Sequence, residues 1–106
     1  MFCVVYRFAV LPGKKSDFER AWAELTDAFY RHCGSLGSSL HRSEDNRYMA
    51  MAQWPSRSAW EESNAKLPGW ADAIKNRMQS CCQSIETVFA GDRVSDLFKS
   101  APFGNP

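Results

Sequence analysis

Residues 34–60 read GSLGSSLHRSEDNRYMAMAQWPSRSAW, and this stretch contains the clearest secondary-structure signals of the chain. Segments 36–42 and 48–54 have the composition of two strands, and the polar residues 43–46 between them predict a turn, so the pair forms a β-hairpin. Pro55 and Ser56 then break the second strand. Ser56 or Ser58 can cap the helix that follows, and Ser58 with Glu61 has the spacing of a capping box.

The N-terminal segment 2–11 predicts a strand that is apolar on both faces. Arg7 is the one charged residue in it. A strand with one face in water would be polar at every second position, so we expect this strand to be covered on both sides. The two faces carry Phe2, Val4, Tyr6, Phe8 and Val10 on one side, and Cys3, Val5, Ala9 and Leu11 on the other.

Two helical regions and a last strand complete the pattern. The first helix opens at Ser16 or Asp17 and ends at Gly34, and its apolar residues have helical spacing. After the hairpin, a short helix over 57–66 is interrupted at 67–69, and a further helix covers 70–82 before a strand over 84–91. The apolar stripe of the first helix consists of Phe18, Ala21, Trp22, Leu25, Ala28 and Phe29. The apolar stripe of the helix over 70–82 consists of Trp70, Ile74, Met78 and Cys81.

This βαββαβ order predicts an α+β, ferredoxin-like fold with a four-stranded antiparallel sheet. Helices from both crossovers cover one sheet face and leave the other face without cover. A second copy of the sheet is the simplest cover, so we expect an isologous homodimer whose two sheets form a barrel.

Composition limits the classes of function. The chain has 106 residues, and we expect one domain over 1–106 with a C-terminal tail from about residue 93 to residue 106. Thirteen basic and twelve acidic side chains give a net charge of +1, which argues against a nucleic-acid partner. No apolar run is long enough to span a membrane, and segment 1–13 lacks a basic leader, so we expect a cytoplasmic protein without a membrane partner.

Several chemistries lack their motifs in this sequence. Its four cysteines form no Cys-x-x-Cys pair, which leaves reduced cysteines in the core or an interface as the simplest interpretation and predicts no metal site. The third strand lacks the Gly-aromatic signature of an RNA-recognition domain. There is also no glycine-rich phosphate loop and no nucleophile elbow.

The remaining candidate is a pocket for a small aromatic molecule between the sheet and the helices. Aromatic residues of the first strand, the hairpin and the second crossover would line it, although such residues also build ordinary cores. The aromatic candidates are Tyr6, Phe8, Tyr48, Trp54, Trp60 and Trp70, and the polar candidates are the Tyr6 hydroxyl, His41, Arg42, Asn64 and Asn76.

The sequence of residues 34–60 resembles the antibiotic biosynthesis monooxygenase family. The resemblance is carried by Gly34-Ser35-Leu36-Gly37, by the turn 41–45 (His-Arg-Ser-Glu-Asp) and by the junction 53–56 (Gln-Trp-Pro-Ser). It implies a dimeric α+β barrel and a cofactor-independent monooxygenase, which oxidises a phenol, a hydroquinone or a polyketide-like compound with dioxygen. No metal or flavin is then required.

The resemblance also suggests roles for individual residues. His41 is the default base because histidine titrates near neutrality, and Tyr6 would orient the substrate oxygen. Both are therefore predicted as catalytic. The predicted substrate-binding residues are Phe8, Trp54, Trp60, Asn64 and Trp70.

Alternatives remain open. Haem-degrading members of the same family use an asparagine where this chain has Tyr6, a tryptophan near Ser63, and a histidine on the second long helix. Segment 70–82 contains no histidine, so haem degradation is a weaker prediction. A non-catalytic small-molecule-binding or structural dimer, or another enzyme of the superfamily such as an isomerase or a dehalogenase-like protein, also fits the fold.

Overall fold

The secondary structure follows the predicted order. A computed structural model describes residues 1–104. Its elements are β1 (Phe2–Val10), α1 (Lys15–His32), β2 (Ser38–Arg42), β3 (Arg47–Trp54), α2 (Arg57–Glu61), α3 (Ser63–Lys66), a 3₁₀ turn (Gly69–Ala71), α4 (Asp72–Ser80) and β4 (Cys82–Asp92). The end of the predicted tail, residues 105–106, lies outside the described residues.

The four strands form one antiparallel sheet in the order β2-β3-β1-β4. In β1, Tyr6 is paired with Ala50 of β3 and with Thr87 of β4. Two crossovers, α1 and the segment α2–α4, join the strands. This arrangement confirms the predicted ferredoxin-like α+β fold.

Helix α1 covers the sheet with the predicted apolar stripe, of which Phe18, Ala21, Leu25 and Ala28 are buried. The Phe18 ring lies 5.0 Å from the ring of Phe8 and 4.9 Å from that of Tyr48, measured between centroids. These contacts fix α1 across β1 and β3. The helix begins at Lys15, one residue before the predicted start.

The second crossover is more broken than predicted. Ser56 caps α2, because its Oγ accepts a hydrogen bond from the Ala59 amide at 3.2 Å. Ser58 lies inside α2 and therefore does not head the predicted capping box. Trp70 belongs to the 3₁₀ turn before α4, and its side chain is 60% exposed, so it is not part of the buried stripe.

The sheet face opposite the helices remains open within one chain. Val5 of β1 is paired with Met51 on one side and with Phe89 on the other. Met51 is 37% exposed and Phe89 is 54% exposed. Within one chain, the helices therefore cover only one of the two apolar faces of β1.

In residues 1–104, no helix combines the length and the apolar character that crossing a membrane requires.

Candidate functional site

A cavity of about 380 Å³ lies between the inner face of the sheet and the helices. Most of its wall is aromatic or aliphatic, as is typical of sites that accept small organic ligands. The aromatic lining consists of Tyr6, Phe8, Trp22, Phe29, Trp54 and Trp60. The polar lining consists of Thr26, Ser35, Ser38, Ser63, Asn64, Lys75 and Gln79.

Alternation along β3 explains why space remains inside a small domain. The inward-facing residues of this strand are Tyr48, Ala50, Ala52 and Trp54, all buried. Ala52 lines the cavity beside the large ring of Trp54, so the methyl side chain at this position leaves space above the sheet. Since interiors are otherwise close-packed, this gap is a built feature of the strand.

Tyr6 and Trp60 form a hydrogen bond at the cavity wall. The Trp60 Nε1–H donates to the Tyr6 Oη at 2.9 Å. An indole N–H can only donate, so the tyrosine oxygen is the acceptor and the hydroxyl proton stays free to donate elsewhere. Burial raises the pKa of Tyr6, and the hydrogen bond from Trp60 opposes that rise only in part. The hydroxyl is thus a neutral donor at physiological pH.

Asn64 and Lys75 meet at the polar end of the cavity. The Lys75 Nζ donates to the Asn64 Oδ1 at 3.2 Å, which connects α4 to α3. An ammonium group has no acceptor, so the asparagine oxygen is its partner. The amide nitrogen of Asn64 therefore retains its two N–H groups for another acceptor.

Trp54 forms part of the cavity wall and has an unusual indole. Its ring meets Phe29 edge-on, with centroids 6.0 Å apart and an interplanar angle of 81°. The Nε1–H is buried and has no hydrogen-bond partner in residues 1–104. A buried donor left in this way costs about 1–3 kcal/mol.

Five of the predicted site residues come together at this cavity: Tyr6, Phe8, Trp54, Trp60 and Asn64. They come from β1, the end of β3, α2 and α3, so the fold and not sequence proximity assembles them.

The other two predicted site residues lie elsewhere. His41 is paired with Met49 on the sheet face away from the helices, it is exposed, and its Nε2 lies 3.0 Å from the Ser39 hydroxyl. Alternation along β2 places Leu40 inward and His41 outward. Trp70 packs on the exposed His32 ring, with centroids 5.6 Å apart, and does not line the cavity.

Sequence reasoning missed Lys75 and assigned Trp22 and Phe29 to the core alone. Lys75 is three residues before the buried Met78 and four before Gln79, so all three share one side of α4 and line the cavity. The spacing of Lys75 from Met78 and Gln79 was the sequence signal that could have identified Lys75 as a lining residue. The small residue at position 52 was the signal for the cavity itself.

The titratable lining is sparse. In the described part of the chain, the cavity is lined by no histidine, cysteine or carboxylate, and Lys75 is its one charged side chain. A neighbouring recess shares Tyr6, Trp60 and Asn64 with the cavity and adds Glu61 and Thr87. Residues 1–104 contain no cluster of three or more histidine, cysteine or acidic side chains able to hold a metal ion.

Solved structures share this architecture. A single-residue variant of SnoaB, a cofactor-independent oxygenase from Streptomyces nogalater, superposes with a TM-score of 0.75 at 22% identity, covering 92% of this chain and 97% of SnoaB. A Bordetella bronchiseptica protein assigned to the antibiotic biosynthesis monooxygenases gives 0.74 at 21% identity, with coverages of 89% and 97%. PA3566 from Pseudomonas aeruginosa gives 0.69 at 16% identity, with coverages of 89% and 94%. At these identities the likeness concerns the fold.

Sequence comparison identifies the family. No curated protein matches the chain significantly. The sequence profile described as antibiotic biosynthesis monooxygenase matches residues 1–76, which include β1, α1, the hairpin and the residues around Trp60 and Asn64. The chain therefore belongs to the antibiotic biosynthesis monooxygenase family.

Proposed function

We propose that this protein is a cofactor-independent monooxygenase that oxidises a small phenol or hydroquinone with dioxygen inside the cavity. The observation that carries the proposal is the Tyr6 hydroxyl, held by Trp60 and aimed from an aromatic wall of a cavity large enough for one or two rings. Membership of the family and the likeness to the SnoaB fold support the same reaction class.

The proposed reaction balances without an external reductant. A phenol with a free ring position loses two hydrogens and gains one oxygen atom when it becomes a quinone, a four-electron oxidation. Dioxygen accepts the four electrons, placing one atom in the product and the other in water. The ionised phenol donates the first electron to dioxygen, so the reaction uses the substrate itself as the reductant.

The chain would contribute binding, orientation and exclusion of water. The rings of Phe8, Trp54 and Trp60 offer faces and edges on which an aromatic substrate can stack. The Tyr6 hydroxyl would donate to the substrate oxygen and stabilise negative charge there. Because Tyr6 stays protonated, it acts as a donor and not as the base.

No histidine is assigned as base in this proposal. His41 faces away from the cavity, and the proton of the substrate phenol would leave to water or to Glu61 at the neighbouring recess. We expect the purified protein to be colourless and to lack stoichiometric iron, haem or flavin. A Soret band that survives dialysis would contradict that expectation.

A second copy of the chain is part of the proposal. Val5, Met51 and Phe89 form an apolar row across β3, β1 and β4 on the uncovered sheet face. Two copies that bury these rows against each other would cover the second apolar face of β1, as the sequence pattern requires. We therefore expect an isologous homodimer built through the sheets.

Oxygen consumption tests the chemistry. A panel of naphthols and hydroquinones is incubated with the wild-type protein, with Tyr6→Phe and with heat-denatured protein, which controls for spontaneous oxidation. The proposal expects uptake by the wild type of one dioxygen per quinone formed, with a much smaller rate for Tyr6→Phe. Uptake equal to that of the denatured control for every compound would contradict it.

Binding without turnover is the second candidate. The absence of histidine and carboxylate side chains from the lining of the cavity, within the described residues, favours it, because a binding protein needs no base. In that case the same compounds would bind, quench the fluorescence of the tryptophans in the wall, and leave dioxygen consumption at the control rate.

A further inference from the structure

Lys75 is a partly buried cation in a cavity that is otherwise neutral. Four ion pairs form among residues 1–104, and none of them includes Lys75. The hydrogen bond of its ammonium group to Asn64 is exposed to solvent, so the charge lies where an incoming ligand can reach it. The partner that the chain provides is the neutral Asn64 carbonyl oxygen at 3.2 Å.

The hydrogen bonds inside the wall fix which groups remain available. The Asn64 Oδ1 accepts a hydrogen bond from Lys75, and the Tyr6 Oη accepts one from Trp60. The Asn64 N–H₂, the remaining N–H groups of Lys75 and the Tyr6 O–H are therefore available as donors in this part of the wall.

Around Lys75 the wall combines one positive charge with the donors of Asn64 and Tyr6, and this combination complements an acceptor with negative charge. Asn64 lies beside both Lys75 and the recess that contains Tyr6, so the donors border the same region. The apolar remainder of the cavity complements a ring system.

We infer that the ligand of this cavity is an aromatic anion whose charged oxygen is received by Lys75 and Asn64. The inference rests on the proposed function and narrows its substrates to ring systems carrying an ionised hydroxyl or a carboxylate. Lys75 is thereby a specificity-determining residue, and Asn64 is a positioning residue that holds the ammonium group at the cavity edge.

Two matched pairs of probes test the inference by quenching of tryptophan fluorescence at neutral pH. One pair is 2-hydroxy-1,4-naphthoquinone, which is ionised, and its uncharged methyl ether. The other pair is 2-naphthoate and its methyl ester. Each pair keeps the ring system and changes the charge, and the two pairs separate an ionised hydroxyl from a carboxylate.

The variants remove or preserve one charge. Lys75→Met keeps the length of the side chain without its charge, and Lys75→Arg keeps the charge. Lys66→Met is the control, since Lys66 lies on α3 and is exposed but does not line the cavity. Folding of each variant is checked by its thermal transition.

The inference expects the anionic member of at least one pair to bind more tightly than the neutral member in the wild type. Lys75→Met should weaken that anion roughly five- to tenfold, as for a partly solvated charged hydrogen bond, and leave the neutral probe unchanged. Lys75→Arg and Lys66→Met should keep the preference.

Two results would overturn it. If Lys75→Met weakens neutral and anionic probes equally, or weakens neither, the assignment to Lys75 is wrong while the aromatic pocket stands. If none of the four probes binds the wild type, the proposed pocket fails and this inference fails with it.

Discussion

The Trp60 indole donates a hydrogen bond to the Tyr6 hydroxyl across 2.9 Å, joining α2 to β1 at the cavity wall. The two residues are separated by 54 positions in the sequence, so the contact reports the assembled fold. This hydrogen bond holds the Tyr6 oxygen in place and leaves the Tyr6 hydroxyl proton free to donate to another group.

Removing the Tyr6 hydroxyl should affect turnover more than folding. Tyr6→Phe deletes the donor to the substrate oxygen, so we expect kcat/KM to fall about 100-fold, as for loss of an oxyanion donor. The free energy of unfolding should fall by only about 1–3 kcal/mol, because the Trp60 N–H loses its partner. Steady-state kinetics and urea titration measure the two effects.

Tyr48→Phe is the matched control. The Tyr48 hydroxyl donates to Glu19 on α1, and Tyr48 does not line the cavity. This variant should lose stability with little change in kcat/KM. Equal losses of kcat/KM in the two variants would show that Tyr6 acts through the fold.

Filling the cavity should block binding. Ala52 is 7% exposed and lines the cavity, so Ala52→Leu places three additional carbon atoms inside it. We expect affinity for the uncharged naphthoquinone ether to fall at least about tenfold, at a stability cost below the usual 1–3 kcal/mol of overpacking, since space is present. Ala73→Leu on the exposed side of α4 is the control. Unchanged affinity in Ala52→Leu would place the ligand elsewhere.

The uncovered sheet face predicts the oligomeric state. Light scattering at micromolar concentration should give twice the 12.0 kDa chain mass. Met51→Glu puts a charge in the apolar row beside Val5, and we expect it to produce monomers, because each copy would bury an unpaired carboxylate between the two sheets. Lys66→Glu, away from that face, should leave the dimer intact. A wild-type monomer would contradict the two-sheet arrangement.

Alkaline pH should destabilise the protein through Cys82. Burial, and to a smaller extent the neighbouring Cys81, raise the pKa of Cys82 from 9.0 to about 11. Above about pH 9 the unfolded chain therefore releases this proton before the folded chain does, and the free energy of unfolding falls as pH rises toward 11. Urea titrations at about pH 8 and about pH 10 should show a smaller decline for Cys82→Ala than for the wild type. Identical declines of the unfolding free energy in the two proteins would mean that Cys82 does not contribute to the pH dependence of stability.

The hairpin, the α1 stripe and the strand order could be predicted because each depends on local periodicity and on turn residues. The structure departs from the expected positions of Trp70 and His41, where periodicity is a poor guide. Trp70 has the helical spacing of Ile74 and Met78 but falls in a 3₁₀ turn, whose different twist directs it outward. His41 was selected for its pKa, although alternation from Leu40 already places it on the opposite face.

The cavity was harder to predict because it depends on a side chain that is too small to fill the space between the sheet and the helices. Ala52 lines the cavity together with Tyr6 and residues of the helices, and bringing these residues together requires the register of β1 against β3. Lys75 similarly has the composition of an ordinary solvated helix residue. Its role emerges only from its hydrogen bond to Asn64, 11 residues earlier.

Labelling with ¹⁸O₂ shows whether the protein transfers an oxygen atom from dioxygen to an aromatic ring. The wild-type protein, with a naphthol that it binds, is incubated under ¹⁸O₂, and the quinone is analysed by mass spectrometry against the heat-denatured control. We expect protein-dependent quinone carrying one ¹⁸O atom, with the second atom recovered in water and a reduced yield for Tyr6→Phe. Bound naphthol that is recovered unchanged, or quinone formed at the control rate, would contradict it.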